Sequence, residues 1–275
     1  MKILSIDVGI KNLAFCLFDQ KENDFTITKW DTVNISEQET HNCIAIDKNG
    51  LCNKPSKFTK DNQCFCLKHA KKTNYKVPSP DLKSSFINKQ KIQKLFEIAD
   101  KYKITYDKKV KKTELITLIN DYILQNYFQE VQTKKAADVN LYNIGMNIKT
   151  HFDKLFAEEI CIDYVIIENQ IGPLAIRMKT IQGMLVQYFV MCSVEVKNVE
   201  FISASNKLKD CDIKDKSKYS DRKKLGISKC LETISTNGNF SSKLEYFNAH
   251  KKKDDLADSF LQGLWFISSL LKKKV

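Results

Sequence analysis

The sequence predicts an α/β fold: a mixed five-stranded sheet flanked by helices, with an inserted Cys-rich and helical segment. Three observations carry this reading. Three strand-like runs crowd into the first 35 residues, with connections short enough to require an antiparallel meander. After about residue 131 the pattern alternates as helix, strand, helix, strand, helix, helix, which suits a sheet covered on both faces. Between them lies a polar, Lys-rich stretch holding four of the nine cysteines. The chain is therefore divided into a main domain, 1–35 and 131–275, and an insertion, 36–130. The insertion is read as a knuckle at 41–70 and a small helical segment at 84–126.

Residues 2–8 are apolar at nearly every position and read as a buried strand. A turn at Lys11 and Asn12 leads to a second strand over 12–19, and the alternating run 24–33 gives a third. Pro78-Ser79-Pro80 punctuates the insertion, and residues 84–101 and 112–126 read as helices. A helix is predicted over 134–159, with Ala137, Leu141, Ile144, Ile148, Phe152 and Phe156 on one face. Then follow a buried strand at 163–168, a helix at 174–192, a strand at 198–203, a helix at 217–235 that starts with basic residues, and a last helix at 254–272.

The net charge of +12 points to a polyanionic partner, nucleic acid before an anionic membrane. No apolar run approaches the ~20 residues needed to cross a bilayer, and no membrane association is expected. The first strand begins at the N-terminus, so no signal or transit peptide is expected. An odd, uneven set of cysteines suits a reducing compartment, cytoplasmic (a viral factory) or nuclear, better than a disulfide framework.

The chemistry is read from acids. Asp7 ends the first apolar strand, and Glu168 ends the apolar run Val165-Ile166-Ile167. The last helix opens with Asp254, Asp255 and Asp258. Asp255 and Asp258 share a helix face, but so do Asp254 and Asp258, and geometry alone does not choose between them. Asp254 has a competing role as a helix cap. Magnesium takes hard oxygen ligands, and two ions roughly 3.5–4 Å apart can activate water and stabilise a leaving oxygen in line. Asp7 on the central strand is the candidate shared ligand. Such a site in a basic protein suggests a metal-dependent nuclease. Candidate DNA contacts are Lys11, Arg177, Lys179, Gln182, Lys207, Lys252 and Lys253, placed at turns, helix starts or beside the acids.

Three motifs carry a family resemblance: Ser5-Ile6-Asp7-Val8-Gly9-Ile10-Lys11-Asn12-Leu13-Ala14, then Ile167-Glu168-Asn169-Gln170 with Arg177-Met178-Lys179-Thr180-Ile181-Gln182, then Lys252-Lys253-Asp254-Asp255-Leu256-Ala257-Asp258-Ser259. Together they resemble the RuvC-like Holliday junction resolvases, most closely the branch of large DNA viruses (poxvirus-type) and fungal mitochondria. The resemblance implies a ribonuclease H-like fold and Mg2+-dependent cleavage of four-way DNA junctions in recombination or repair. It also implies a homodimer and two ions per site, with Mn2+ as a substitute. Its Asp-x-x-Asp pattern favours Asp255 with Asp258 as metal ligands. The Cys-rich insertion departs from compact members of that family.

Within the insertion, Cys43, Cys52, Cys66 and His69 form the best four-ligand set for a structural zinc ion, with Cys64 as a substitute for Cys66. Residues 107–124 resemble part of a small helical DNA-binding motif of the SAP type, with a plain amphipathic helix as the simpler account. Other functions compete. A transposon- or CRISPR-type RuvC nuclease shares the opening motif, but its zinc element usually follows the Glu. A sugar kinase or actin-like ATPase needs a second Gly-rich phosphate hairpin. A non-catalytic branched-DNA-binding protein has no need of the complete acid set.

Overall fold

The structure is a computed structural model that describes all residues except 23, 39–40, 49, 132–134, 171–174, 209–218 and 274–275. Its elements run β1 (Lys2–Asp7), β2 (Leu13–Lys21), β3 (Asp24–Val33), β4 (Ile46–Asp47), β5 (Gly50–Leu51), β6 (Phe58–Lys60), β7 (Gln63–Phe65), α1 (Leu67–Ala70), α2 (Ser84–Ile87), α3 (Ile92–Lys101), α4 (Lys112–Asn126), β8 (Gln129–Glu130), α5 (Leu141–Leu155), β9 (Cys161–Asn169), α6 (Ile176–Met191), β10 (Glu195–Ser203), α7 (Tyr219–Thr236), α8 (Leu244–Ala249) and α9 (Lys253–Lys273). The chain forms two compact units, Met1–Gln38 with Lys134–Val275, and Glu39–Thr133.

The first unit is built on a five-stranded sheet of order β10-β9-β1-β2-β3. β1 is central, antiparallel to β2 and parallel to β9. Strand alternation sorts its residues by face. Leu4 and Ile6 join the core formed with Ile144, Ile148 and Phe152 of α5 and Ile181, Leu185 and Phe189 of α6. Ile3 joins the opposite core, with Cys230 and Ile234 of α7, Phe247 of α8 and Leu256, Ala257 and Phe260 of α9. Asp7 shares the face of Ile3. In β9, Ile166 belongs to that same core while Val165 and Ile167 belong to the other, so Glu168 also faces α9. Ile6 pairs with Ile167, which makes Asp7 and Glu168 the next residues along neighbouring parallel strands.

Helix α9 lies on this face. Trp30 stacks on Phe247 at 5.4 Å and donates from Nε1 to the Leu256 carbonyl at 3.1 Å. Gly263 has no space for a side chain: an added Cβ stands 2.2 Å from Cε2 of Phe18.

The second unit holds a three-stranded sheet, β7-β6-β8, the β4–β5 pair, and a helical core of Leu82, Ile87, Leu95, Ile98, Leu115, Ile119 and Ile123. Here one predicted helix differs. The run 84–101 is divided into α2 and α3 because Lys91 is extended (φ −75°, ψ 158°). Ile87 and Leu95 thereby reach the same core. In the first unit the helix predicted over 134–159 is shortened to α5. Asn140 caps its start by accepting from the Asn143 amide at 2.8 Å, which leaves Ala137 in a preceding 3-10 turn. The link between the predicted strand at 163–168 and the helix at 174–192 reads in sequence as a turn, Ile171-Gly172-Pro173; it and Cys211 lie outside the described residues.

Replacing a helical glycine with alanine normally stabilises by about 1 kcal/mol. Gly183→Ala in α6, where an added Cβ meets no neighbouring element within 4 Å, is expected to show that gain. Gly263→Ala is expected to destabilise by about 1–3 kcal/mol, because Phe18 must leave its packed position. Urea midpoints of the two variants, moving in opposite directions, check this.

Candidate active site and metal centre

The acids converge at the carboxyl ends of the parallel strands. β1 delivers Asp7, β9 delivers Glu168, and α9 lays Asp255 and Asp258 across the same face. After β10, a 3-10 turn over Ala204–Leu208 carries Lys207 back over the sheet end. Its Nζ stands 2.7 Å from Asp7 Oδ1, 3.4 Å from Glu168 Oε2 and 3.6 Å from Asp258 Oδ2. Only 7% of the Lys207 side chain is exposed. These groups line a cleft of about 410 Å³, together with Gly9, Asn12, Gln170 and the first turn of α7. Gly9 allows the chain to turn here, since an added Cβ would stand 2.3 Å from the Asn12 carbonyl oxygen.

Proton affinities record the crowding. Burial, the hydrogen bond with Asp7 and that group's charge push Glu168 up to about 8. Burial, with the charge of Asp7 added, pushes Asp258 up to about 6 against the pull of Lys207. Burial and Asp254 raise Asp255. Asp7 goes the other way: burial opposes its charge, but the Lys207 ammonium and the hydrogen bond with Glu168 outweigh it. Lys207 is raised, because the three carboxylates outweigh its own burial.

The donor set fits a hard divalent cation on two observations. A positive group, the Lys207 ammonium, already sits among three carboxylates. Asp255 Oδ2 is buried and accepts no hydrogen bond. The Lys252 ammonium is 3.8 Å from it, beyond hydrogen-bond reach. Asp254 is engaged differently, as a close ion pair with Lys223 of α7.

The basic residues singled out from the sequence separate into groups. Lys11, Lys179 and Lys252 are exposed, and Lys253 is half-buried. Lys207 is not a surface contact; it is a buried counter-charge. Arg177 donates to the Val139 carbonyl and has a buried Nε, so it ties α6 to the chain before α5. Gln182 is buried, and its Oε1 accepts from the Gln170 amide at 3.4 Å. Both are turned inward because α6 presents this side to its own unit. Sequence reasoning missed Tyr219, Arg222 and Lys223, which line the cleft. The basic start of their helix was visible, but nothing in its spacing tied it to acids on distant elements.

In the second unit Cys43, Cys52, Cys66 and His69 offer ligand atoms all within 4.8 Å of one another. The Cys52 and Cys66 sulfurs are 4.0 Å apart, and His69 Nδ1 is 3.3 Å from Cys43 Sγ and 3.5 Å from Cys66 Sγ. Zn–S bonds of about 2.3 Å in a tetrahedron give sulfur separations close to these. His69 Nε2 is buried without a hydrogen bond, 3.4 Å from Asp47 Oδ2, the outer carboxylate that metal-bound histidines commonly use. Cys64 is outside the group, with its thiol 3.9 Å from Thr59 Oγ1.

A family described as mitochondrial resolvase Ydc2 / RNA splicing MRS1 matches residues 3–170. An uncharacterised protein of Acanthamoeba polyphaga mimivirus is 28% identical over 325 residues, covering 99% of this chain and 76% of that protein. The Fowlpox virus Holliday junction resolvase structure is 15% identical, with a TM-score of 0.43 over 98% of this chain and 99% of that one. The yeast mitochondrial Holliday junction resolvase Ydc2 is 14% identical, with a TM-score of 0.44 over 98% and 82%.

Two measurements test the two sites. Purified protein is expected to carry one transition-metal ion per chain, kept by Cys64→Ser and lost in Cys66→Ser or His69→Asn, as read by elemental analysis. At the acids, Glu168 holds a proton in the fold near neutrality that it releases when unfolded, and Asp258 does the same below about pH 6, so the metal-free contribution of Glu168 to stability falls as pH rises from about 4.5 to 8. A divalent cation must displace those protons. Its binding is therefore expected to tighten from pH 6 to 8 and to release protons, detected by calorimetry in buffers of different ionisation enthalpy.

Proposed function

The chain belongs to the family described as mitochondrial resolvase Ydc2 / RNA splicing MRS1, and from that membership we propose that it is a Holliday junction resolvase, a metal-dependent endonuclease acting on four-way and related branched DNA. The observation that carries the proposal is the meeting of Asp7, Glu168 and Asp258 around one buried ammonium, with Asp255 lining the same cleft.

In this reading those four carboxylates hold Mg2+, with Mn2+ as a substitute. When bound, Mg2+ supplies Lewis acidity at the phosphate and lowers the pKa of a water nucleophile. Asp255 rather than Asp254 is the ligand, because Lys223 already neutralises Asp254 while Asp255 has a free buried oxygen. Arg222 and Lys223 in the cleft wall, with Lys252 and Lys179 exposed, bind and orient phosphates. Burial of Asp7 and Glu168 limits competing water at the ligands. The Cys43, Cys52, Cys66 and His69 group holds zinc in a structural role, since four protein ligands leave no open position. The protein acts as a homodimer, which would match the two-fold symmetry of a four-way junction and give paired cuts. Among the described residues no helix is long and apolar enough to cross a membrane.

The test is cleavage of a labelled four-way junction in Mg2+, beside linear duplex, flap, RNA–DNA hybrid and a folded RNA. Paired nicks confined to the junction are expected. Asp7→Asn and Asp255→Asn are expected to cut at least about a hundredfold more slowly, beyond the 10–100-fold typical of outer-shell changes, while still binding. Equal cutting of all substrates would make this a general nuclease. Tight binding without cutting, or preference for the folded RNA, would make it a nucleic-acid-binding protein that keeps the fold.

A further inference from the structure

Helix α9 is held on the sheet chiefly by apolar side chains, Leu256, Ala257, Phe260 and Leu261 against Ile3, Cys16, Phe18 and Ile166. Apolar contact has no direction. A constellation of ligands shared between a helix and a strand needs positions fixed to about 0.5 Å. Something directional must set the height of α9 along β1.

Gln262 has that geometry. It is fully buried, and its Nε2 donates to Ser5 Oγ and to the Ile6 carbonyl, each at 3.2 Å. Ile6 immediately precedes Asp7. Gln262 follows Asp258 by four residues, one turn along the same helix face. The bond thus joins the two acid-bearing elements one residue and one turn away from their carboxylates. A second buried hydrogen bond to α9, from Trp30 to the Leu256 carbonyl, runs to β3, which brings no acid to the cleft; Lys207 reaches Asp258 from the turn after β10, not from β1.

Gln262 is also a poor choice for stability. Its Oε1 is buried and accepts no hydrogen bond. An unsatisfied buried acceptor is destabilising, whereas an apolar side chain of the same shape is not. A glutamine here therefore needs a reason other than packing. We propose that Gln262 is a positioning residue for the acid site: it fixes the height of α9 on β1, and with it the separation of Asp258 and Asp255 from Asp7. This rests on the reading of those acids as a divalent-cation site.

The experiment uses the full chain and Mn2+ as the probe, with free Mn2+ followed by electron paramagnetic resonance and melting measured without added metal. Gln262→Met keeps the volume and removes the orphaned acceptor. It is expected to melt no lower than wild type, yet to bind Mn2+ about tenfold more weakly, the lower end of what outer-shell changes produce. A residue that only supported the fold would lower both or neither. Wild-type Mn2+ affinity in Gln262→Met, or a loss of affinity that merely follows a lower melting temperature, overturns the proposal. If Gln262→Met unfolds because Ser5 loses its partner, Ser5→Ala/Gln262→Met removes both polar groups; weak Mn2+ binding in a folded double variant supports the proposal and wild-type binding overturns it. Asp7→Asn runs alongside. If it binds Mn2+ as wild type does, the acid site itself is misassigned and the positioning role falls with it.

Discussion

The packing of α9 against one face of β1 is the constraint on which the rest of the main unit depends. Strand alternation assigns Ile3, Ser5 and Asp7 to that face, and it does the same for Ile166 and Glu168 on β9. Once Phe260 and Leu256 are buried there, Asp255 and Asp258 have to arrive over the strand ends, because they lie one turn or less away on the same helix. The core and the site are thus one arrangement seen at two ends. The close approach at Gly263, where Phe18 occupies the space a side chain would take, sets how near the helix comes.

Such an arrangement crowds negative charge where water is scarce, and the fold answers in two ways. Lys207 places an ammonium among three carboxylates, and Glu168 and Asp258 retain protons that an exposed acid would lose. Neither answer satisfies Asp255, whose inner oxygen has no donor. Carboxylates gathered for stability would be paired one to one, as Asp254 is with Lys223. Carboxylates gathered to receive a multiply charged ion are expected to remain under-neutralised until it arrives, and that is the condition of this cluster.

Much of this was legible in the residues. β3 is matched over its whole length because its alternation is regular, and α4 because its apolar spacing is bounded by a clear start and stop. Asp7 and Glu168 stood out because each is a carboxylate at the end of an otherwise apolar strand. Asp254 and Asp255 are alike at the level of helix spacing; what distinguishes them in the fold is a distant residue, Lys223, which pairs with Asp254. Lys207, Arg177 and Gln182 show the same limit. A basic or amide side chain reads as a solvent-facing contact until the partner it meets across the fold is known. For Arg177 that partner is the Val139 carbonyl, 38 positions away. Helix α8 and the two- and three-residue strands of the second unit were missed because segments so short carry no periodicity to read.

The two candidate metal centres divide the chain's ligands by hardness. The acid cleft offers carboxylate oxygens, half of them on strand ends and half on a helix, and suits a hard ion that keeps part of its water. The second unit offers three sulfurs and a ring nitrogen from short turns, which suits a softer ion held in a closed tetrahedron. Their structural settings follow the same division. The carboxylates of the main unit rest on two large apolar cores. The Cys and His ligands rest on β-pairs of two or three residues, beside an apolar cluster with only Phe58, Ala70 and Phe128 at its centre. So small a core leaves the ion itself as a source of folding energy. Hard oxygen donors and soft sulfur and nitrogen donors are thus kept in separate units of one chain.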